Sequence, residues 1–274
     1  VEHVMTVYGY SMLKGIVSSN GAFSIAVLKP WDEREEPDQH QMAVLQRLQP
    51  RLLGIPSALV MAFAPPPIPG VGSVSGLDYR LLDFAGRPAE ELAGVARTIV
   101  TEANARPEIA QAFTSFRAAI PQIEVDVDRV KAKDQGIPLS SVFGSLQSML
   151  GSLYVNDFNR YGRTFRVMVQ AEGEYRSEES DIGRIFVRNQ DGEMVPLSTL
   201  VNTRPRLGPQ MLTRYNLFNS VTINAIPAEG YSEGEAIAAM TEVSEQFLPE
   251  GYSYDWSGVT YQSLAAGNLA PIIF

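Results

Sequence analysis

The sequence MAFAPPPIPGVGSVSGLDY, residues 61–79, contains four prolines and three glycines. Proline fixes φ and lacks a backbone N–H, and glycine adopts conformations closed to other residues, so neither a helix nor a central strand fits here. The intervening Ile68, Val71 and Val74 are apolar, whereas surface loops are usually polar. The sequence predicts a stiff loop that divides the chain and contacts an apolar surface, either of its own core or of a bound molecule.

The segment before this loop has the pattern β-β-α-β. Residues 4–11 and 22–29 are rich in β-branched and aromatic side chains, and the link between them has Gly15 at one end and Gly21 at the other. This pattern predicts a β-hairpin. A charged stretch then leads into a helix over residues 38–53, because its valine and leucines recur on one helical face. Residues 58–63 are predicted to form the last strand of this segment, and they lead into the proline loop.

A second α+β pattern follows the loop. Residues 77–84 predict a strand, and Pro88 marks the first turn of a helix that ends near residue 105. An apolar face is predicted for this helix from the spacing of Leu92, Val95, Ala96, Ile99 and Val100. Residues 122–128 alternate between apolar and polar side chains, which predicts a strand with one dry face. Three further elements are predicted in this region: a strand near 113–116, a helix over about 140–150 and a strand over 152–158.

Beyond residue 164 the predicted strands follow one another without helices. They are residues 165–170, 185–188, 194–197 and 221–226, with a hairpin turn at 189–192. A capping box of Ser232 and Glu235 begins the last helix, and the alternating Tyr252, Tyr254 and Trp256 predict the last strand. The sequence therefore predicts an α+β fold, with two small sandwiches and a mostly β insertion over residues 164–226.

The composition limits the possible functions. The 22 Lys and Arg residues against 31 Asp and Glu residues give a net charge of −9, which argues against nucleic-acid binding and favours cationic or neutral partners. The chain has no cysteine, so thiolate catalysis, cysteine-based zinc sites and disulfides are excluded. No apolar run of about 18 residues occurs, so no transmembrane segment is predicted within these residues.

Residues suited to catalysis or metal binding are few. His3 and His40 are the only histidines, lie far apart and have no acidic partner at metal-ligand spacing. The run from Gly70 to Gly76 lacks the Lys-Ser/Thr pair of a phosphate-binding loop. The acidic side chains of residues 124–128 are explained by the solvated face of a strand. We predict that the chain is not an enzyme and has no cofactor and no metal site.

Five motifs are distributed in order over the whole length of the chain. They are NG (20–21) with LKPW (28–31), VDVDR (125–129) followed by KA (131–132) and GI (136–137), SLYVNDF (152–158) followed by GR (162–163), GEMVP (192–196), and LPEGYSYDWSGVTYQ (248–262). In these motifs the chain resembles resistance-nodulation-division (RND) multidrug efflux pumps. The resemblance is to the hydrophobe/amphiphile efflux branch of Gram-negative inner membranes.

The resemblance implies a periplasmic location and a three-part fold. In this family the second large periplasmic loop, between the seventh and eighth transmembrane helices, forms two ferredoxin-like βαββαβ porter subdomains and half of a docking domain. Residues 1–76 would form the first porter subdomain, without its opening strand and helix and with a switch-like loop over 64–76. The remaining parts would be the second porter subdomain (77–163 and 227–258), the docking-domain insertion (164–226) and the lead-in to a transmembrane helix (259–274).

The resemblance also implies which residues bind the transported solute. The proline loop would be a switch loop between an entrance pocket and a deep pocket, and its members would be Pro65, Pro67, Pro69, Gly70 and Gly72. The substrate-binding residues would be Met61, Phe63, Pro66, Ile68 and Tyr79, with Ile123, Val125, Val127 and Arg176 towards the entrance pocket. Large, soft, apolar side chains with few directional groups suit a site that binds many compounds.

The implied function is proton-driven antiport by a homotrimeric pump. The pump would export amphiphilic small molecules through a complex with a periplasmic adaptor protein and an outer-membrane channel, and its proton-carrying residues would lie in transmembrane helices outside this sequence. Two alternatives remain: the periplasmic portion of a metal-exporting RND pump, and a free-standing periplasmic protein-interaction module. The first hypothesis predicts that amphiphilic cations or neutral compounds bind an apolar cleft and that Phe63→Ala weakens their binding.

Overall fold

The computed structural model of the protein describes residues 1–65 and 74–267. The chain divides into two compact units: unit 1 comprises Val1–Ala118 and Pro209–Phe274, and unit 2 comprises Ala119–Gly208. The helices are α1 (Gln41–Leu53), α2 (Ala89–Asn104), α3 (Arg129–Asp134), α4 (Leu139–Leu146), α5 (Glu179–Gly183), α6 (Glu233–Phe247) and α7 (Gly258–Gly267). The strands are β1 (His3–Ser11), β2 (Ile16–Val27), β3 (Leu77–Asp83), β4 (Ile109–Phe113), β5 (Ile120–Val127), β6 (Leu153–Arg160), β7 (Arg163–Val169), β8 (Phe186–Arg188), β9 (Met194–Pro196), β10 (Val201–Gly208), β11 (Thr213–Tyr215), β12 (Phe218–Pro227) and β13 (Tyr252–Ser257).

Unit 1 is built on an antiparallel sheet in which the strand order is β4-β12-β3-β13. Helix α2 connects β3 to β4, and helix α6 connects β12 to β13, so these elements follow one another as two β-α-β segments. The short strand β11 pairs with the first residues of β12, on the edge that β4 uses further along. The two helices pack side by side against the sheet.

The core of unit 1 lies between this sheet and its two helices. Leu77, Tyr79 and Leu81 alternate along β3 and are completely or almost completely buried. Each buried leucine-sized side chain stabilises the fold by about 1.5–3 kcal/mol. The helices meet the sheet through mostly small or flexible side chains: Leu92, Ala96, Ile99 and Ala103 of α2, and Ala236, Met240 and Val243 of α6. The predicted apolar face of α2 and the predicted capping box at Ser232 are both confirmed.

Strands β1 and β2 form the predicted hairpin, which is a separate two-stranded sheet. The turn occupies residues 12–15 and is shorter than the predicted link, because β2 already begins at Ile16. Gly15 has a φ of +66°, a conformation that favours glycine. With only two strands, the hairpin leaves most of its large apolar side chains exposed.

The predicted strand over residues 58–63 is wrong, because this segment has no regular secondary structure. A strand needs a neighbour for its backbone hydrogen bonds, and none of the described strands pairs with it. Its polar groups bond elsewhere instead. The N–H of Ala62 donates to Gln49 Oε1 of α1 at 3.1 Å, and the carbonyl of Ala64 accepts from the N–H of Ser75 at 3.2 Å.

Unit 2 has its own core between a strand pair and a helix. Strand β5 pairs antiparallel with β10 over its whole length, from Ile120 opposite Gly208 to Val127 opposite Val201. The hairpin of β8 and β9 has the predicted turn and packs near α4. The buried apolar residues of this core are Val127, Ala132, Ile137, Val142, Ile185, Val187, Leu197 and Leu200. A second hairpin, β6 with β7, is exposed along its whole length.

The boundaries of the units differ from the predicted insertion over residues 164–226. Strands β5 and β6, predicted as parts of the second sandwich, belong to unit 2, whereas β11 and β12 belong to unit 1. The reason is strand pairing. Strand β5 pairs with β10, a strand that was not predicted, and β12 pairs with β3 of unit 1. Within the part of the chain that the structure describes, no helix has the length and hydropathy needed to cross a membrane.

Candidate functional site

The two faces of the unit 1 sheet differ in chemistry. Odd-numbered residues of β3 point into the core, so Asp78 and Arg80 lie on the face opposite the helices. In β12 the core residues include Val221 and Ile223, and the alternate residues on the opposite face are Ser220, Thr222 and Asn224. Along these stretches of β3 and β12, the sheet face away from the helices is therefore polar, with a buried or half-buried hydroxyl, amide or charge at positions 78, 80, 220, 222 and 224.

This polar face forms the floor of a cleft of about 540 Å³. Three short segments surround the floor: the β1–β2 turn at residues 12–15, residues 115–117 after β4, and residues 210–214 around the start of β11. A volume of this size lies within the usual range for small-molecule sites, about 300–1,000 Å³. We refer below to this site as the cleft.

Gln210 holds the hairpin turn at the edge of the cleft. Its Oε1 accepts a hydrogen bond from Lys14 Nζ at 3.3 Å, and its Nε2 donates to Ser18 Oγ at 3.1 Å. Ser18 Oγ in turn donates to Asn20 Oδ1 at 2.8 Å. The amide of Gln210 thus bonds to Lys14 in the turn and to Ser18 in β2, which positions the hairpin against a segment nearly two hundred residues away in sequence.

Arg80 is the central charged group of the floor. Its Nε donates to Ser257 Oγ at 2.7 Å, Nη1 donates to Thr222 Oγ1, and its guanidinium lies 5.7 Å from the Tyr215 ring centre. Arg80 Nε also lies 3.3 Å from Asp78 Oδ1, and these two side chains are 22 % and 13 % exposed. Because burial of a lone charge is costly, this pairing is what allows both groups to lie under the cleft.

The rim of the cleft combines cations with apolar side chains. Lys14, Arg117 and Arg214 line it, and burial followed by the Arg117 charge lowers the pKa of Lys14. The apolar lining residues are Met12, Leu13, Phe116, Met211 and Leu212. Chemically, the cleft offers apolar contact area beside hydrogen-bond donors and positive charge, which suits an amphiphilic ligand.

Tyr79, implied as a pocket residue by the resemblance, lies instead in the core of unit 1. It is 0 % exposed, its hydroxyl is 2.8 Å from Ser244 Oγ, and burial raises its pKa. Its ring stacks on Tyr254 at 5.2 Å and meets Trp256 edge-on at 5.4 Å. The odd-numbered positions of β3 face the helices, so a solute on the other face of the sheet does not reach this ring.

Met61 and Phe63 are half-buried in the irregular segment after α1, and Pro65 is exposed. Neither Met61 nor Phe63 lines the cleft. The other implied loop residues, namely Pro66, Pro67, Ile68, Pro69, Gly70 and Gly72, lie outside the described residues. Their assignment as pocket and switch-loop residues stays a prediction.

The four implied entrance residues belong to unit 2. Ile123 is exposed and Val125 is half-buried on β5, whereas Val127 is part of the unit 2 core and presents almost no surface. The clean alternation predicted for this strand is therefore wrong at Ile123, and Glu124 on the other face pairs with Arg204 at 2.9 Å. Arg176 is exposed and donates from Nε to the carbonyl of Ala171 at 2.9 Å.

The residues considered for catalysis remain apart. His3 Nε2 is 3.6 Å from Glu2 on the exposed hairpin, and the His40 ring lies 6.3 Å from that of Trp31. Within residues 1–65 and 74–267, no group of three or more His, Asp or Glu side chains is arranged to hold a metal ion.

Sequence reasoning did not identify the cleft residues Lys14, Asp78, Arg80 and Gln210. The alternation of Asp78 and Arg80 with three buried apolar residues was visible in the sequence and indicates a polar sheet face. Lys14 and Gln210 carried no comparable signal, because their meeting depends on contacts between distant segments.

Comparison with known proteins bears on the whole chain. The profile of the AcrB/AcrD/AcrF family matches residues 1–274. The chain is 33 % identical over 274 residues to the multidrug export protein AcrF of Escherichia coli (strain K12), and 31 % identical over 274 residues to the toluene efflux pump membrane transporter TtgE of Pseudomonas putida. It is also 33 % identical over 275 residues to the multidrug resistance protein MdtF of E. coli (strain K12).

Each of these alignments covers 100 % of this chain and 26 % of the relative, so the chain spans about a quarter of the length of the curated relatives it matches. These relatives are efflux transporters and not enzymes. The full-length match and the identity above 30 % confirm the resemblance seen in the five sequence motifs. The chain belongs to the AcrB/AcrD/AcrF family of RND efflux transporters.

Proposed function

We propose that this chain is the periplasmic, solute-binding and docking portion of a proton-driven multidrug efflux transporter. The transporter would export amphiphilic compounds from a Gram-negative cell as a homotrimer, together with an adaptor protein and an outer-membrane channel. Family membership supports the transporter class. The observation that supports solute binding within this portion is the cleft of unit 1, with its polar floor and partly apolar rim.

The architecture supports the assignment of porter and docking parts. In unit 1, two β-α-β segments form a sheet in the order β4-β12-β3-β13, which is consistent with a ferredoxin-like subdomain. We assign this part to the second porter subdomain and the β1–β2 hairpin with α1 to an incomplete first one. Unit 2 interrupts the chain between β4 and β11 and is our candidate for the docking part.

The test is transport by the intact parent protein. Its reading frame is expressed in a Gram-negative strain that lacks drug pumps, and efflux of the neutral fluorescent amphiphile N-phenyl-1-naphthylamine is followed. Met12→Trp places a larger side chain at the cleft, so we expect efflux to fall several-fold. Val17→Trp is the matched control, because Val17 is exposed on the same hairpin and does not line the cleft.

Two results would contradict the proposal. The first is a parent protein that exports no amphiphile although it is expressed and membrane-inserted. The second is equal efflux by the Met12→Trp and Val17→Trp proteins at equal expression, since the cleft would then not be on the path of the solute.

A further inference from the structure

The cleft of unit 1 has a local charge opposite in sign to that of the whole chain. The chain has a formal charge of −9. Around the cleft, however, lie four cations, Lys14, Arg80, Arg117 and Arg214, and one carboxylate, Asp78, which leaves a local charge of 4 − 1 = +3. A concave site with low-dielectric sides concentrates the field of its own charges, so the local sign decides which solutes are attracted.

Asp78 does not neutralise the rim of the cleft. Its carboxylate is paired with Arg80 on the floor at 3.3 Å, where both side chains are largely buried. Arg117 and Arg214 are exposed, and neither forms a salt bridge with any described residue. Lys14 donates to the neutral amide of Gln210. Three cations at the rim thus remain available to an anionic group.

The rim cations also repel one another. The Arg117 charge and burial both disfavour the protonated form of Lys14. An anionic ligand group placed beside these two side chains would reduce that repulsion and would hydrogen-bond to two cationic donors, which are stronger bonds than neutral ones. A cationic ligand in the same place would add to the repulsion.

Apolar and neutral polar groups lie next to these charges. The side chains of Met12, Leu13 and Leu212 present apolar area at the rim, and methionine adapts to ligands of different shape. On the floor, Ser220 is 1 % exposed, and its hydroxyl has no hydrogen-bond partner among the described residues. The cleft therefore matches a ligand with an apolar body and an anionic head.

We propose that the cleft selects anionic amphiphiles, namely carboxylates or sulfonates on an apolar body, over cations with the same body. This inference rests on the proposed function, because it specifies the class of solute that the cleft takes. It reverses the expectation of cationic partners drawn from the net charge. A bound solute interacts with the charges that line its site, whereas the acidic excess of the chain lies elsewhere on the surface.

The experiment compares three ligands that share a decyl chain and differ in their head group: decanoate, decyltrimethylammonium and the neutral decyl maltoside. Each is titrated below its micellar concentration into the full chain at neutral pH and low ionic strength, and binding is measured by equilibrium dialysis. We expect decanoate to bind about ten-fold more tightly than decyltrimethylammonium. The difference should shrink at high salt, because rim charges are screened.

Variants of the exposed rim arginines test whether their charges cause the preference for decanoate. Arg117→Gln and Arg214→Gln should each weaken decanoate binding about three- to five-fold, as expected for partly solvated ion pairs, and should weaken decyl maltoside binding by a smaller factor. Arg97→Gln is the matched control, since Arg97 is an exposed arginine of α2 on the helix side of the same sheet. It should leave the affinities for all three ligands unchanged.

Equal affinities for decanoate and decyltrimethylammonium would overturn the charge selection, as would an Arg97→Gln effect as large as that of Arg117→Gln. The neutral ligand tests the proposed function separately. Met12→Ala and Leu212→Ala remove exposed apolar side chains at the rim and should weaken decyl maltoside binding about three-fold. If decyl maltoside does not bind, or is insensitive to both variants, the cleft is not the solute site.

Discussion

The buried pair of Tyr79 and Ser244 predicts a substitution whose effect on stability changes sign with its background. The Tyr79 hydroxyl lies 2.8 Å from Ser244 Oγ in the core of unit 1. Ser244 Oγ donates its own hydrogen to the carbonyl of Met240 at 2.7 Å. Tyr79 is therefore the donor in the bond between the two hydroxyls, and Ser244 is the acceptor.

The two single substitutions leave different groups unpaired. Tyr79→Phe removes the donor while Ser244 keeps its bond to Met240, so we expect a loss of about 0.5–1.5 kcal/mol in the free energy of unfolding. Ser244→Ala leaves the Tyr79 hydroxyl buried without an acceptor, which costs roughly 1–3 kcal/mol, less about 0.5 kcal/mol from the better helix propensity of alanine. In the Ser244→Ala background, Tyr79→Phe removes this unpaired hydroxyl and should raise stability by about 1 kcal/mol.

Urea unfolding of the native chain, both single variants and the double variant closes the thermodynamic cycle. The reasoning is refuted if Tyr79→Phe lowers the free energy of unfolding by the same amount with serine and with alanine at position 244. Decyl maltoside binding by the Tyr79→Phe chain should equal that of the native chain, because the ring lies in the core and not in the cleft.

Two glycines and one helix N-terminus give the remaining predictions. Gly76 has a φ of +123°, and an added Cβ would lie 2.5 Å from the carbonyl oxygen of Ala225, so Gly76→Ala should lower the free energy of unfolding by about 2–4 kcal/mol. Gly94 lies in α2, and a Cβ added there would have no atom within 4 Å, so Gly94→Ala should raise the free energy of unfolding by up to about 1 kcal/mol. Melting temperatures that shift in the same direction for the Gly76→Ala and Gly94→Ala chains would contradict these two predictions. Hydrogen bonds from the backbone and side chain of Ser232 lower the pKa of Glu235. The Glu235 carboxylate therefore stabilises the fold at pH values above the unfolded-state pKa of about 4.3. This stabilisation is lost as the pH falls through the folded-state pKa. Glu235→Gln should therefore reduce the loss of stability on acidification below about pH 4.5, and urea midpoints measured across that range should show a flatter slope than in the native chain.

Local sequence patterns predicted those elements whose neighbours lie close in the chain or whose periodicity is strong. The apolar stripe of α2, the capping box of α6 and the alternating aromatic residues of β13 all lie where the sequence indicated. The pairing of β5 with β10 was not predicted, because these are the first and last strands of unit 2 and lie far apart in the sequence. The extents of the two compact units depend on that pairing, so they differ from the predicted insertion over residues 164–226.

The residues on the floor of the cleft could be predicted from the sequence, whereas those on its rim could not. The parity of β3 places Tyr79 with Leu77 and Leu81 on the core side, and it places Asp78 and Arg80 on the other. Parity therefore argued against Tyr79 as a pocket residue, although the resemblance implied that role. The rim depends on segments such as residues 12–15 and 210–214, whose proximity no local pattern encodes.

The way unit 2 is inserted has a consequence for how this protein folds and diverges. Unit 2 is an insertion of about 90 residues, and its two ends are held side by side because Ile120 pairs with Gly208. If those ends were free, bringing β4 and β12 together would cost the closure entropy of a long loop, roughly 3 kcal/mol more than that of a short one. Once β5 and β10 have paired, the sheet of unit 1 assembles as though the insertion were a short connection. Residues beyond this strand pair can therefore change in length and sequence, while the sheet that bears the cleft keeps its folding free energy.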